Sequence, residues 1–173
     1  MTADNSAGAS STTRCSTWQT IPWPKAKAHV LRLQMRIAKA EREGRPSRVK
    51  VLQRLLTTSF YSRCLAIQRV TSNKGSKTPG VDGVRLKTPN QKMQTVNTLK
   101  RRGYTPSPLR RIHILKKSGK LRPLSIPTMK DRAMQALWHM ALIPIAEGRN
   151  RHPAPTSSGY RPVNSCDDIG MRI

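Results

Sequence analysis

The sequence predicts a mainly helical α+β fold, on three observations. Apolar residues recur at helical spacing over residues 25–42 and again from about 47 to 67. Two short β-favouring runs flank Ser118 and Gly119, which is typical of a β-hairpin. A third helical pattern follows the hairpin, from residue 132 to about 147. Hydrophobic residues make up only 36% of the chain and aromatic residues 4%, so we expect a small, aliphatic core.

Taken in order, residues 1–17 are rich in Ser, Thr and Ala and are expected to be disordered. The helix over residues 25–42 is expected to end at Gly44 and Pro46. A second helix then begins with Ser47 as its N-cap. Its predicted buried stripe comprises Val49, Leu52, Leu56, Ser59, Phe60, Cys64 and Ile67.

Glycines and a proline predict a loop between residues 71 and 88. The loop is basic, but it has neither the Walker pattern nor the dinucleotide fingerprint, so it is a weak phosphate motif. For Asp82, a role as the cap of a turn and a role in chemistry are equally expected. Thr88 and Pro89 predict the start of another helix, which the basic run at 100–103 closes, because cations suit the last turn of a helix.

The hairpin is followed by a helix for which Asp131 is the expected N-cap. Its predicted apolar face consists of Ala133, Leu137, Met140 and Ala141.

The charge balance predicts a polyanionic partner. The chain carries 33 Lys and Arg against 8 Asp and Glu, a net charge of +25 on 173 residues. Residues 25–72 contain 12 basic and 2 acidic residues, and residues 73–130 contain 15 and 1. Such an excess favours a phosphate-bearing polyanion such as RNA as the partner, with an affinity that falls with salt. A basic surface that only keeps the protein in solution is the alternative.

Basic residues that lie off the predicted apolar stripes, in the loop or on the hairpin are the candidate RNA-binding residues. A helical pair could bury one side and offer the other to phosphates. The candidates are Arg32, Arg36, Lys39, Arg54, Arg63, Lys74, Lys77, Arg110 and Arg111.

Other site types are not expected. The three cysteines, Cys15, Cys64 and Cys166, are widely spaced and lack a set of histidine partners, which indicates reduced thiols and neither zinc ligands nor disulfides. No apolar run is long enough for a membrane span, and the N-terminus lacks the pattern of a secretion signal. A cytoplasmic location without membrane contact is therefore expected.

Several segments together resemble the N-terminal part of a group II intron-encoded reverse transcriptase and maturase. They are W-x-x-I-x-W at 18–23, LQxRI at 33–37, VTxNKGSKTPGVDG at 70–83, the long run RRGYTPSPLRRIHILKKSGKLRPLSIPTMKDRAMQ at 101–135, LIPIAE at 142–147 and SSGYRPVNSCDD at 157–168. They occur in the order of that family and cover almost everything after residue 17.

The resemblance implies an incomplete right-hand polymerase fold. Residues 18–72 would be the helical N-terminal extension, which binds intron RNA and the template strand, and residues 73–130 the fingers with their basic hairpin. Residues 131–173 would hold a helix of the fingers and palm and a truncated start of the palm. By motif, Lys116 and Arg122 correspond to the family residues that bind the nucleotide triphosphate. Two cations on one hairpin suit a charge that grows during phosphoryl transfer.

The chain departs from the family in its catalytic residues. Polymerisation needs carboxylates that hold two divalent metals, but the family's YADD motif does not occur in this sequence. Asp167 and Asp168 match a helix start in the family instead of a metal site. We therefore expect no catalytic or metal-binding residue and no cofactor in this chain. Mg²⁺ is expected only for the complete family enzyme, and the chain alone is predicted to be inactive.

Three interpretations stay open at this point. In the first, the chain is a truncated reverse transcriptase that binds intron RNA or template and primer, as one half of a split protein whose palm, thumb and maturase domain lie on a second chain. In the second, the chain is a non-functional gene remnant of such a protein. The third interpretation, from a different class, is a stand-alone basic RNA-binding protein of ribosomal type.

Overall fold

The computed structural model describes residues 17–117 and 119–149, and the predicted disorder of residues 1–17 lies almost wholly outside them. Helix α1 spans Trp23–Arg42 and buries one stripe along its length. Before it, the Trp18 ring meets the Trp23 ring edge to face at 5.0 Å, and the ammonium of Lys92 lies 5.5 Å from the Trp18 ring. The early aromatic motif therefore fixes the start of α1 and has a structural role.

The predicted second helix is two helices, so this prediction was wrong. Helix α2 spans Pro46–Thr58 and helix α3 spans Phe60–Ser72, with Ser59 extended between them. The hydroxyls of Thr57 and Thr58 donate to carbonyls of their own helix, and such bonds weaken and bend a helix end.

The expected N-cap Ser47 lies inside α2. That helix begins at its N1 proline after Arg45, which has no side-chain cap hydrogen bond.

The predicted loop is observed, with one 3₁₀ turn at Lys74–Lys77. Asp82 accepts a hydrogen bond from the backbone N–H of Val84 at 3.2 Å, which supports its role in a turn. Helix α4, Pro89–Thr98, starts as predicted, since Thr88 and Gln91 form a capping box. The helix ends at Thr98, before the basic run at 100–103. The prediction that these cations close its last turn was therefore wrong.

Within the described residues, the sheet consists of one two-stranded β-hairpin. Strand β1, Arg110–Leu115, pairs antiparallel with strand β2, Leu121–Ile126. Ile112 lies opposite Leu124 and Ile114 opposite Arg122. The base of the hairpin is the better buried end, because Ile126 is 8% exposed whereas the strand ends near the turn are largely exposed.

The last helix, α5, spans Met129–Arg149 and supplies a buried face that includes all four predicted residues. Asp131 was predicted as its N-cap, and this was wrong. The helix starts at Met129, three residues before the predicted start at residue 132, and the Thr128 hydroxyl accepts from the backbone N–H of Asp131 at 3.2 Å. Asp131 is instead a buried residue of the first turn.

One core unites these elements. Helix α5 packs against α1, α2 and α3, and α4 packs against α3. The largest fully buried side chains include Ile37, Leu56, Ile67, Leu99 and Leu137, one from each helix or its end. The fold is thus mainly helical with a small hairpin, as the sequence predicted. The division into N-terminal extension, fingers and palm segments stays a prediction.

Candidate nucleic-acid interface

The basic residues of α1 lie on its solvent side. Arg32, Arg36 and Lys39 are exposed, whereas Leu33 and Ile37 between them are buried in the core. This separation follows from helical geometry, since residues one position apart point in different directions. Lys39 lies 3.9 Å from the carboxylate of Glu43, a surface pair of little energetic weight. The three cations can therefore contact a polyanion without disturbing the core.

Arg54 and Arg63 come together around one cleft. Arg54 is exposed on α2, and Arg63 is half-buried on α3, where its guanidinium donates to the Val96 carbonyl of α4 at 3.1 Å. The other cations lining this cleft are Lys100, Arg101 and Arg102. The sequence reasoning missed these three as binding residues, because their position after α4 was explained by the helix dipole.

Lys74 and Lys77 are exposed in the 3₁₀ turn of the loop. The loop itself is held from the other side by Arg132, which sequence reasoning also missed. Its guanidinium donates to the carbonyls of Gly75 and Thr78, each at 2.7 Å, and of Pro127 at 3.0 Å. Arg132 is one of three charged residues of the KDRAMQ motif, and its guanidinium stabilises the fold.

Gly80 brings the same loop onto the start of α5. A Cβ built on Gly80 would lie 2.6 Å from the Thr128 Cα and 2.8 Å from the Thr128 nitrogen. No side chain fits at that distance, so only glycine allows the loop to lie directly on this backbone. The glycine-rich motif is explained here by close packing, and the described contacts include no phosphate cradle.

The hairpin places Lys116 and Arg122 on one face. Cross-strand partners share a face and residues two apart on a strand share a face, so Arg122, Ile114 and Lys116 point the same way. Arg110 lies on this face as well and Arg111 on the opposite one. All four cations are exposed. The hairpin therefore carries both residues that the family resemblance assigned to the triphosphate, Arg122 in β2 and Lys116 directly after β1, and their role stays a prediction.

Asp131 is the acid at the centre of the fold, and it is fully engaged. Its carboxylate accepts hydrogen bonds from the Tyr104 hydroxyl, from the Thr128 hydroxyl at 2.7 Å and from the Ser107 backbone N–H at 3.3 Å. Burial works to raise the pKa of Asp131, but these hydrogen bonds outweigh it and lower the pKa. For Tyr104, burial and the hydrogen bond to Asp131 both raise the pKa well above its ordinary value.

Asp131 is thus a structural carboxylate and not a metal ligand. Among the described residues, no group of three or more His, Cys, Asp and Glu side chains is placed to hold a metal ion. Asp167 and Asp168, together with Cys15 and Cys166, lie outside the described residues, and Cys64 is buried in the core.

His139 on α5 lies beside Arg69 of α3, with 3.3 Å between the His139 Nδ1 and a guanidinium nitrogen. Burial and the neighbouring positive charge lower the pKa of His139. This histidine is therefore neutral at pH 7 and adds no charge to the basic surface.

No helix in the described part of the chain has the length and apolar character needed to cross a bilayer.

Comparison with known proteins places these features in a family context. Residues 18–99 match the family described as the N-terminal domain of reverse transcriptase. Over 122 residues, 66% of this chain, the sequence is 43% identical to protein YkfC of Escherichia coli strain K12, covering 31% of that protein.

Two further relatives are intron-encoded or intron-named proteins. The group II intron-encoded protein LtrA of Lactococcus lactis is 37% identical over 59% of this chain and 17% of its own length. The putative COX1/OXI3 intron 2 protein of Saccharomyces cerevisiae is 31% identical over 59% of this chain and 12% of its own length. The matches thus span less than a third of the length of these relatives.

Proposed function

Because residues 18–99 belong to the N-terminal domain family of reverse transcriptases and the chain is related to the N-terminal part of group II intron-encoded proteins, we propose that it binds intron RNA. Binding uses phosphate contacts from the exposed cations of α1, of the cleft between α2, α3 and α4, and of the hairpin. The contacts position the RNA and read no bases, since none of these elements carries a base-reading motif.

One observation carries this proposal, the one-sided charge of the surface. Between Glu43 and Asp131 the sequence contains a single acid, Asp82, and its carboxylate is occupied by a backbone N–H. A surface made only to be soluble mixes both signs of charge. Cations without acidic neighbours attract a polyanion over long distances and release its counterions on contact.

The hairpin has a second role in this proposal. Lys116 and Arg122 bind the triphosphate of an incoming nucleotide when the catalytic carboxylates are supplied by a palm, on a second chain or on a longer form of this one. The motif resemblance at residues 101–135 and the position of both cations on the hairpin support this assignment. An apolar cleft of about 430 Å³ on α5, where Trp138 is 36% and Leu142 51% exposed, supports a surface for that palm. In this proposal, DNA synthesis requires that palm.

The test is binding of the purified chain to a group II intron RNA and to an unrelated structured RNA across a salt series. The variant Arg32→Ala/Arg36→Ala/Lys39→Ala is compared with a charge-matched control, Arg85→Ala/Lys87→Ala/Lys130→Ala, which also removes three exposed cations. We expect the wild type and the control to prefer the intron RNA and the α1 variant to lose that preference. Equal binding of both RNAs by all three proteins would show a nonspecific polycation and refute the proposal.

A ribosomal-type RNA-binding protein is the alternative function, and the same charge distribution fits it. Addition of a separate palm and thumb chain distinguishes the two, because only a reverse transcriptase fragment can restore DNA synthesis. Restored synthesis that depends on Lys116 supports the proposal.

A further inference from the structure

The cleft between α2, α3 and α4 has a composition unlike the rest of the surface. Eight residues line a cavity of about 310 Å³, and five of them are Lys or Arg. The lining contains no acid. Its cations are Arg54, Arg63, Lys100, Arg101 and Arg102, of which Arg63 and Arg101 are half-buried and the others exposed.

Helix dipoles do not account for this cluster. The C-terminal ends of α2 and α4 lie at the cleft, and cations are favourable near such ends. Each end is equivalent to roughly half a negative charge, so the two ends offset about one of the five cations. The remaining positive charge has no counterpart among the lining residues.

Two of the guanidinium groups each have one N–H without a hydrogen-bond acceptor. The buried Nε–H groups of Arg63 and of Arg101 have no partner in the described protein. Arg63 satisfies only another of its nitrogens, through the Val96 carbonyl. Buried donors of a charged group normally have acceptors, because desolvation without a partner is unfavourable. The protein therefore supplies these two guanidinium groups with fewer acceptors than they have donors, which adds to the unbalanced positive charge of the cleft.

We propose that this cleft binds one phosphodiester group of an RNA strand. A phosphate offers the acceptor oxygens and the negative charge that the five cations lack, and guanidinium groups recognise it with paired donors. The cavity has the volume of roughly ten water molecules in the liquid, which admits a phosphate with part of its flanking sugars. The inference rests on the proposed function, and it identifies one contact point within it.

If several cations of the cleft contact the same phosphate, the salt dependence of RNA binding should change in a specific way. Affinity for a single strand falls with salt by a slope of about 0.7 per phosphate neutralised. In Arg54→Gln/Arg101→Gln/Arg102→Gln three cations are lost but only one phosphate contact, so we expect the slope to fall by about 0.7. The control Arg85→Gln/Lys87→Gln/Lys130→Gln is expected to leave the slope unchanged. A fall of about 2 for the cleft variant, or equal slopes for both variants, would overturn the proposal.

A second measurement does not depend on RNA binding. Inorganic phosphate is compared with chloride at equal ionic strength, with the melting temperature of the full chain as the readout. A ligand of the folded state raises that temperature, and phosphate also stabilises folded proteins in general, so we expect phosphate to raise it more for the wild type and the control than for the cleft variant. No difference between the three proteins overturns the cleft as a phosphate site. Absence of RNA binding by the wild type together with this phosphate effect would refute the proposed function alone.

The source of the phosphate is tested with one RNA oligonucleotide made with and without a 5′-phosphate. Equal affinities support an internal phosphodiester. Binding that requires the 5′-phosphate, and loses this requirement in the cleft variant, overturns the internal assignment in favour of a strand end.

Discussion

Replacement of Gly80 by alanine tests how the loop is held on α5. The added Cβ would lie 2.6 Å from the Thr128 Cα and 3.0 Å from the Pro127 carbonyl carbon, and both of these are backbone atoms. Backbone cannot rotate away as a side chain can, so the loop and the helix start must separate by roughly 0.8 Å to reach ordinary contact. Gly80 does not have a positive φ, so the clash and not the backbone conformation decides the result.

The chain can accommodate the methyl group in two ways. Compression of the packing typically costs about 1–3 kcal/mol. Separation lengthens the two 2.7 Å hydrogen bonds from Arg132 to the loop, and a hydrogen bond to a charged group contributes about 1.5–3 kcal/mol. The chain takes the less costly way, so we expect a loss of about 2 kcal/mol.

Urea unfolding followed by circular dichroism measures this loss. With a slope of about 2 kcal/mol per molar urea, the midpoint should fall by about 1 M. The matched control is Gly75→Ala in the same loop, where the nearest atom to a new Cβ is the end of the Arg132 side chain at 3.8 Å. That substitution should be neutral or stabilising by up to about 1 kcal/mol, through the unfolded state. If Gly80→Ala unfolds at the same urea concentration as Gly75→Ala, the close packing is not present in solution.

Three further predictions follow from the contacts of the same region and of the hairpin. Arg132→Lys should lower the free energy of unfolding by about 1–2 kcal/mol, because an ammonium cannot reach three carbonyls at once; unchanged urea unfolding would contradict this. The stabilisation from Asp131 should be complete above its ordinary pKa of about 4 and lost as the pH falls through its lowered pKa, so urea midpoints measured from pH 7 to pH 3 should fall more for the wild type than for Asp131→Asn. In a mixture with a palm and thumb chain, Lys116→Ala and Arg122→Ala should each raise the nucleotide concentration needed for half-maximal synthesis, whereas Arg111→Ala on the opposite face should lower only RNA affinity; the same effect on nucleotide use from all three would refute the face assignment.

The regular elements could be predicted from local patterns in the sequence. The periodicity of α1, the Thr88 cap of α4 and the Ser-Gly turn of the hairpin each depend on residues within a few positions of one another. The break at Ser59 was missed because the apolar spacing continues through it. Two threonines and a serine in succession were the available signal, since their hydroxyls compete for helix carbonyls.

The site was less accessible to prediction because its contacts join distant parts of the chain. Arg54 and Arg101 line one cleft although 47 positions separate them, and no local pattern reports that proximity. The run at 100–103 was assigned to the end of α4 because of its composition. That assignment placed the predicted end of α4 beyond its observed end at Thr98. Exposure of Arg32, Arg36 and Lys39 could be predicted, because it depends only on the spacing within α1.

Two adjacent residues of opposite charge at the start of α5, Asp131 and Arg132, stabilise the fold through hydrogen bonds to other segments. Asp131 accepts hydrogen bonds from Tyr104 and Ser107, while Arg132 donates hydrogen bonds to the loop carbonyls of Gly75 and Thr78. Both hold backbone that leads into a basic region, the hairpin on one side and the 3₁₀ turn on the other. Both charges therefore take part in contacts within the protein. It follows that substitution of either residue should change RNA affinity only through the placement of these regions, and the loss should then accompany a loss of stability.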